Sequence, residues 1–172
     1  MKENKTLEYK EKISNTFLKT VSAYANYGTG VIKFGINDQG KAIGISNPKQ
    51  ACLDIENKIN DAIKPSVEYT LDIDSKTNVI KLWVMEGLHK PYLYNGKAYK
   101  RNDTATIEVD HLELTRLVLE GENITYEELL SKNQKLQFSY LDEELKKHLN
   151  LSVINYDTYK SLELMNTGSA AL

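Results

Sequence analysis

Apolar side chains recur at intervals of three and four residues near the start of the chain. The stripe consists of Ile13, Phe17, Val21, Tyr24 and Ala25. This spacing places the side chains on one face of a helix. Gly28 and Gly30 follow the stripe, and glycine accepts the positive φ at which many helices end. The pattern predicts a helix from Glu11 to Tyr27 that packs on a neighbouring layer.

A short apolar run rich in β-branched residues follows the glycines and predicts a buried central strand over Val31–Ile36. Asn37–Gly40 then supplies the residue types that a hairpin turn requires, because Asn, Asp and Gly accept left-handed or self-capping conformations. Ala42–Ile45 is predicted to lead back from this turn beside the central strand.

A second helical stripe is predicted from Pro48 to Ile63. Pro48 suits the first turn of a helix, where its missing N–H has no partner to lose. Ser46 or Asn47 is the expected N-cap, and Lys64-Pro65 ends the pattern.

Strict alternation of apolar and polar residues predicts the remaining strands. Val67–Ile73 and Val79–Met85 form an expected hairpin with one wet face, and Lys97–Arg101 forms a further short strand after a loop over Gly87–Gly96. Lys5–Lys10 is predicted to be a short edge strand or an extended arm. The fold class predicted from these elements is α+β, with a mixed, mostly antiparallel sheet of about six strands and two helices packed on it.

The pattern changes to short helices after residue 108. They are predicted at Val109–Glu120, at Tyr126–Leu130 with Thr125 as cap, and at Asp142–Leu149 and Asp157–Met165. We therefore predict a first domain over residues 1–108 and a helical extension over residues 109–172. We expect this extension to be the start of a further region, with a frayed end.

The composition of the chain argues against a membrane-spanning or secreted protein. The 172 residues are 41% hydrophobic and 27% charged, and the sequence contains neither an apolar run long enough to span a membrane nor a signal peptide. Cys52 is the only cysteine, and it is expected to be a small core residue. We expect a cytoplasmic protein with no membrane partner.

The net charge of the chain argues against nucleic-acid binding that depends on an overall positive electrostatic field. The formal net charge is −2, although 22 lysines and arginines leave room for a local basic groove. Only Arg101 and Arg116 are arginines, so bidentate reading of guanine is not the expected mode of recognition, and lysine contacts to phosphate would be blind to sequence.

Several blocks of the sequence resemble a known family. They are LEYK at Leu7–Lys10, Ala23–Gly30, FGINDQGKAIGI at Phe34–Ile45, and KPYLYNGKAYKRNDTAT at Lys90–Thr106. These blocks resemble the Schlafen AlbA-like domain, which occurs near the N-terminus of bacterial transcriptional regulators and in the Schlafen proteins. The resemblance extends over roughly the first 110 residues. It implies a nucleic-acid-binding domain, and some members of the family cleave RNA.

The resemblance also suggests a catalytic site. Glu3, Glu8 and Asp38 stand where ribonuclease Schlafens carry two glutamates and an aspartate that bind a metal, and three such oxygen ligands suit Mg²⁺ or Mn²⁺. The alternative is structural: Asp38 suits a hairpin turn, Glu3 lies in a terminus, and Glu8 can pair with Lys10. Ribonuclease Schlafens also pair two lobes in one chain, whereas this chain has one.

Cations and tyrosines alternate in the second half of the first domain, and this pattern is typical of platforms for single-stranded bases and phosphates. The candidate nucleic-acid-binding residues are Lys10, Lys33, Tyr92, Tyr94, Lys97, Tyr99, Lys100 and Arg101. The alternative is that these tyrosines are ordinary half-buried strand residues, since the chain has 11 of them.

Three function hypotheses follow. The first is a nucleic-acid-binding module, with DNA the expected partner, in a bacterial transcriptional regulator. The second is a metal-dependent endoribonuclease that uses Glu3, Glu8 and Asp38 with Mg²⁺ or Mn²⁺. Only this second hypothesis implies a cofactor. The third is a dimerisation or protein-interaction module, and we expect a homodimer in each case. His89, His111 and His148 have no ligand partner at zinc spacing, and no nucleotide-binding loop is present.

Overall fold

A computed structural model describes residues 3–124, 138–162, 164–166 and 169–170. The chain divides into two compact units, Met1–Asn123 and Ile124–Leu172. The predicted α+β class is confirmed. Among the described residues, no helix has both the length and the apolar character needed to cross a bilayer.

A four-stranded sheet forms the centre of the first unit. Its strands are β1 at Leu7–Lys10, β2 at Gly30–Phe34, β4 at Tyr69–Asp74 and β5 at Val79–Val84, and their order across the sheet is β1-β2-β5-β4. β1 runs parallel to β2, and the other two pairs are antiparallel. The predicted edge position of β1 is thus confirmed, as is the hairpin of β4 and β5.

Two helices, α1 at Phe17–Tyr27 and α2 at Pro48–Ala62, pack on one face of this sheet. Phe17 and Phe34 meet edge to face, with ring centroids 5.3 Å apart. The inward side chains of the sheet that join this core are Ile32, Phe34, Ile80, Leu82 and Val84. The two predicted helical stripes therefore face the sheet, as their spacing requires.

The start of α1 differs from its prediction. The helix begins at Phe17 and not at Glu11, because residues 14–16 form a turn in which the Ser14 carbonyl accepts the Phe17 N–H at 3.2 Å. Ser14, Asn15 and Thr16 favour such local hydrogen bonds over a continuing helix. At the start of α2, Asn47 takes the N-cap position in a left-handed conformation, but its side chain caps no backbone N–H.

Two short ladders complete the strands of the first unit. β3 at Ile63–Lys64 pairs with β6 at Leu93–Tyr94. β6 lies inside the stretch Gly87–Gly96, which was predicted to be a loop. β7 at Tyr99–Asn102 pairs with β8 at Ala105–Glu108, a strand the sequence did not predict. The predicted return strand over Ala42–Ile45 is reduced to an isolated bridge between Ile36 and Ala42.

Helix α3 at His111–Gly121 belongs to the first unit. Asp110 and Glu113 form a capping box at its start, and Leu117 packs with Ala98 and Val109 in a small second core. The compact unit therefore continues to Asn123. The domain boundary after residue 108 stays a prediction.

The second unit contains α4 at Ser139–Leu149, α5 at Tyr156–Ser161, and a two-stranded ladder of β9 at Met165–Asn166 with β10 at Ser169–Ala170. The Tyr159 hydroxyl donates a hydrogen bond to the Asp142 carboxylate, which joins the two helices. The predicted helix over Tyr126–Leu130 lies outside the described residues.

Candidate nucleic-acid interface

The face of the sheet opposite α1 and α2 carries polar and aromatic side chains. Strands β2 and β5 alternate, so that every second residue points away from the helical core. The outward residues of these two central strands are Val31, Lys33, Lys81 and Trp83. Trp83 is 44% exposed, which is unusual for the largest apolar side chain in the middle of a sheet.

The strand register arranges these residues in two rows across the sheet. Lys33 lies directly opposite Lys81, and Val31 lies opposite Trp83. On the other side of β2, Leu7 of β1 is aligned with Val31. We name Lys33, Lys81 and Trp83 the open-face site. Like charges directly opposite one another in a sheet are unfavourable, so the lysine pair is an arrangement that an anion would stabilise.

An open cavity of about 330 Å³ lies over this part of the sheet. Its lining residues are Asn4, Thr6, Leu7, Val31, Lys33, Lys81 and Trp83. None of these lining residues is acidic. Lys33 forms no ion pair with any described residue, whereas Lys81 forms an ion pair with Asp72, its neighbour across β4, with 3.6 Å between Nζ and Oδ2. The lining of the cavity is therefore positive at Lys33 and partly neutralised at Lys81, with one aromatic side chain at its border.

Lys33 was among the predicted binding residues, but Lys81 and Trp83 were not. The signal that could have found them is the alternation in VIKLWV, since it places Lys81 and Trp83 together on the wet face of the predicted hairpin.

Glu8 lies on the opposite, inner side of β1, where it is buried. Its two carboxylate oxygens are each 2.5 Å from a cation, Oε1 from Lys10 Nζ and Oε2 from Arg101 Nη1. Arg101 is also buried, and its guanidinium donates to the Thr106 hydroxyl at 2.8 Å and to the Asn4 carbonyl at 3.3 Å. This ion pair ties the N-terminal strand to the β7–β8 hairpin.

The three acidic residues of the predicted metal site are not brought together. Glu3 accepts the Tyr9 N–H at 2.7 Å, Glu8 is held by Lys10 and Arg101, and Asp38 is exposed in its turn. Within the described ranges, no three His, Cys, Asp or Glu side chains are placed to hold a metal ion. Since the Glu8 carboxylate already neutralises two cations, the residues present do not fit Mg²⁺ or Mn²⁺, and the predicted cleavage site stays a hypothesis without geometric support.

The predicted platform around β7 is largely closed. Tyr92 and Tyr99 are buried, and Tyr94 is half-buried. Lys97 Nζ lies 2.8 Å from Glu108, and Lys100 is paired with Glu113. We name Lys97, Lys100 and Arg101 the hairpin cluster.

Each member of the hairpin cluster is thus already paired with an acid. The hydrogen bond that Lys97 donates to the Glu108 carboxylate accordingly raises the pKa of Lys97. The acids that pair with Lys97 and Lys100 belong to β8 and α3, two elements that the sequence did not relate to these lysines. The residues lie together as predicted, but they do not form an open cationic surface.

Comparison with known proteins gives a family and a fold. The family described as Schlafen, AlbA_2 matches residues 3–110, which confirms the resemblance carried by the sequence blocks. No curated protein matches the chain.

Two solved structures are similar to the chain. The crystal structure of a Corynebacterium diphtheriae protein has a TM-score of 0.53 at 12% identity and covers 97% of this chain, which spans only 34% of that protein. The solution structure of the N-terminal domain of a Nitrosomonas europaea protein, named as related to the ATP-dependent DNA helicase RecG, has a TM-score of 0.41. It is 20% identical and covers 62% of this chain and 84% of that chain. The similarity to the first structure supports the fold alone. The TM-score of the second structure is too low to support any conclusion.

Proposed function

The chain belongs to the Schlafen AlbA_2 family, and we propose from this premise that it is a nucleic-acid-binding module. The observation that carries the proposal is the open-face site, where two lysines oppose each other beside an exposed tryptophan. Such a pair of cations attracts an anion, and an aromatic ring beside it offers a surface to a base. Nucleic acid supplies both groups in one ligand.

Binding is local and does not depend on the charge of the whole chain. The net charge is −2, so the chain as a whole does not attract a polyanion. Within the open-face cavity, by contrast, both charged lining residues are lysines. Each phosphate neutralised by a lysine releases counterions, and two contacts give a slope of log K against log[salt] of about −1 to −2.

We further propose that the module serves a DNA-acting protein, in the manner of a bacterial transcriptional regulator, and that it works as a homodimer. The family supports a nucleic-acid partner, and β4 is an edge strand of the central sheet that pairs only with β5 among the described strands, so its outer edge offers a surface for pairing with a second copy. A solution mass near twice 19.6 kDa is the result expected of the dimer.

The test is retention of the full chain on single-stranded DNA, double-stranded DNA and RNA over a series of salt concentrations. The expected result is retention at low salt that weakens linearly on the logarithmic scale. Absence of retention at low salt, or retention that salt does not change, contradicts the proposal. Addition of Mn²⁺ on the same gel also tests the ribonuclease hypothesis, for which shortened RNA is the required result.

A further inference from the structure

We propose that the open-face cavity is a site for single-stranded nucleic acid, in which one unpaired base lies against Trp83 and the adjoining phosphates contact Lys33 and Lys81. This inference rests on the proposed function and names the ligand class and the site. The proposed ligand is single-stranded nucleic acid, and not a duplex, a free nucleotide or a protein.

The shape of the cavity favours an unpaired base. Its volume of about 330 Å³ is at the lower end of the range for small-ligand pockets, which suits one planar ring system. The floor is formed by Leu7 and Val31, and Trp83 borders them on the next strand. In a duplex the base faces are covered by stacking, so only an extruded or single-stranded base can lie on this surface.

The positions of the two lysines favour a ligand with a phosphate backbone. Lys33 and Lys81 occupy the row two residues along from Val31 and Trp83 on the same face. Since a strand rises about 3.3 Å per residue, the two rows are about 7 Å apart, the same order as the distance between a base and its own phosphate. Lysine is a point charge without the fork of arginine, so it contacts phosphate without reading sequence.

The rim of the cavity is polar but not acidic. Asn4 and Thr6 line it, and the Asn4 side-chain oxygen accepts hydrogen bonds from the Thr6 N–H at 2.9 Å and the Thr6 hydroxyl at 3.1 Å. These bonds use the Asn4 oxygen as an acceptor, and its amide N–H groups remain as donors beside the cavity. Donors suit the carbonyl oxygens of a base or the oxygens of a phosphate. Each charged or polar group that lines the cavity is thus compatible with a nucleotide unit.

The chain itself provides the probe for this proposal, because Trp83 is the only tryptophan. The full chain is titrated at low salt with single-stranded oligothymidylate, with a blunt DNA duplex at equal phosphate concentration, and with thymidine monophosphate. The expected result is saturable quenching of tryptophan emission by the single strand, at concentrations where the duplex and the free nucleotide have little effect.

Variants then separate the site from general binding. Trp83→Ala is expected to weaken retention of the single strand about tenfold, and Trp83→Phe less, because phenylalanine keeps an aromatic face. The matched control is Tyr140→Ala, which removes another aromatic side chain that is 77% exposed, and it leaves retention unchanged. Circular dichroism shows whether each variant is folded.

The outcomes distinguish this inference from the proposed function. If the chain binds nucleic acid with the expected salt dependence, but neither tryptophan emission nor the affinity of the Trp83→Ala variant changes, the inference is wrong and the proposed function stands. Equal quenching by duplex overturns the single-strand claim, and equal quenching by thymidine monophosphate makes the cavity a nucleotide pocket. If no nucleic acid is retained at low salt, both proposals are wrong.

Discussion

The molecule gathers cations in two regions of the same unit, and the two regions differ in their partners. In the open-face site, Lys33 has no acidic partner among the described residues, and Lys81 has one exposed partner, Asp72, at 3.6 Å. In the hairpin cluster, Lys97, Lys100 and Arg101 pair with Glu108, Glu113 and Glu8 in turn. The aromatic residues differ as well, since Trp83 is exposed whereas Tyr92 and Tyr99 are buried.

This difference shows that the number of cations in a stretch of sequence does not identify a binding surface. A lysine that is already paired must exchange its carboxylate for a phosphate, and the net gain is small. Lys33 faces Lys81 and has no acidic partner among the described residues, so a phosphate gives it both a counter-charge and relief from repulsion. We therefore infer that the residues near β7 stabilise the fold, and we propose that the residues on β2 and β5 bind the ligand.

The largest expected effect concerns Arg101 in the hairpin cluster. Arg101→Met removes one of the two cations that contact the buried Glu8 carboxylate, and the expected loss is about 3 kcal/mol of folding free energy, the lower end of the range for a broken buried pair, because Lys10 stays beside Glu8. Urea unfolding measures this loss. Arg116→Met, which removes an exposed arginine, is the matched control and leaves the unfolding free energy nearly unchanged.

The double variant Glu8→Gln with Arg101→Met sharpens this prediction. It removes both charges, so it is expected to recover more than half of the stability that Arg101→Met alone loses. A double variant no more stable than the single one would mean that packing, and not the unpaired charge, causes the loss.

The next effect concerns Lys90, a buried cation whose Nζ lies 2.7 Å from Glu86 and 2.6 Å from Glu120. Lys90→Met is expected to lower the unfolding free energy by about 1–2 kcal/mol, since both glutamates are partly exposed and solvent weakens the pair. Burial lowers the pKa of Lys90, but the hydrogen bonds to Glu120 and Glu86 outweigh burial and raise it overall.

The sign of the pH dependence follows from that raised pKa. Because the folded pKa lies above the unfolded value of about 10.4, the contribution is complete below about pH 10 and is lost as pH rises through the folded pKa. The difference in unfolding free energy between Lys90→Met and the unmodified chain is therefore constant between about pH 7 and 9 and shrinks above about pH 10.5. A difference that grows with rising pH would contradict this assignment.

A smaller effect is expected for one lysine of the open-face site. Lys33→Gln removes one phosphate contact, so it weakens retention of single-stranded DNA several-fold at low salt and reduces the salt slope by about 1. Gel retention at several salt concentrations measures both. Stability does not fall, because the variant also removes the repulsion between Lys33 and Lys81. Loss of affinity with an unchanged slope would mean that Lys33 contacts no phosphate.

The smallest effect is expected for Lys97→Gln. Its exposed pair with Glu108 adds little to the fold, and its charge is already neutralised. Thermal unfolding and retention of single-stranded DNA are both expected to match those of the unmodified chain. A loss of affinity equal to that of Lys33→Gln would return the binding surface to the hairpin cluster.

The sequence predicted most of the fold because its elements carry local signals. The stripes of α1 and α2 and the alternation of β4 and β5 are visible in the residues themselves. β8 was missed because ATIE is too short and too polar to indicate a strand, and it is formed only by pairing with β7. The early start predicted for α1 failed because Ser14–Thr16 favours a turn.

The site was less predictable, because it depends on pairing between distant residues. The partners of Lys97 and Lys100 lie in β8 and α3, and Arg101 meets Glu8 from the other end of the first unit. The opposition of Lys33 and Lys81 arises from a register that no local pattern determines. The wet face of the hairpin could have indicated Trp83, but only the sheet order shows that Trp83 lies beside β2.

The most direct measurement compares two double variants of equal charge, Lys33→Gln with Lys81→Gln and Lys97→Gln with Lys100→Gln, for retention of one single-stranded oligonucleotide at one low salt concentration. The change in net charge is the same in both, so a general electrostatic effect weakens them equally. The expected result is a loss of tenfold or more for the open-face pair, at roughly one phosphate contact per lysine, and little change for the hairpin pair. Equal losses, or a larger loss for the hairpin pair, would contradict the assignment of binding to the open face of the sheet.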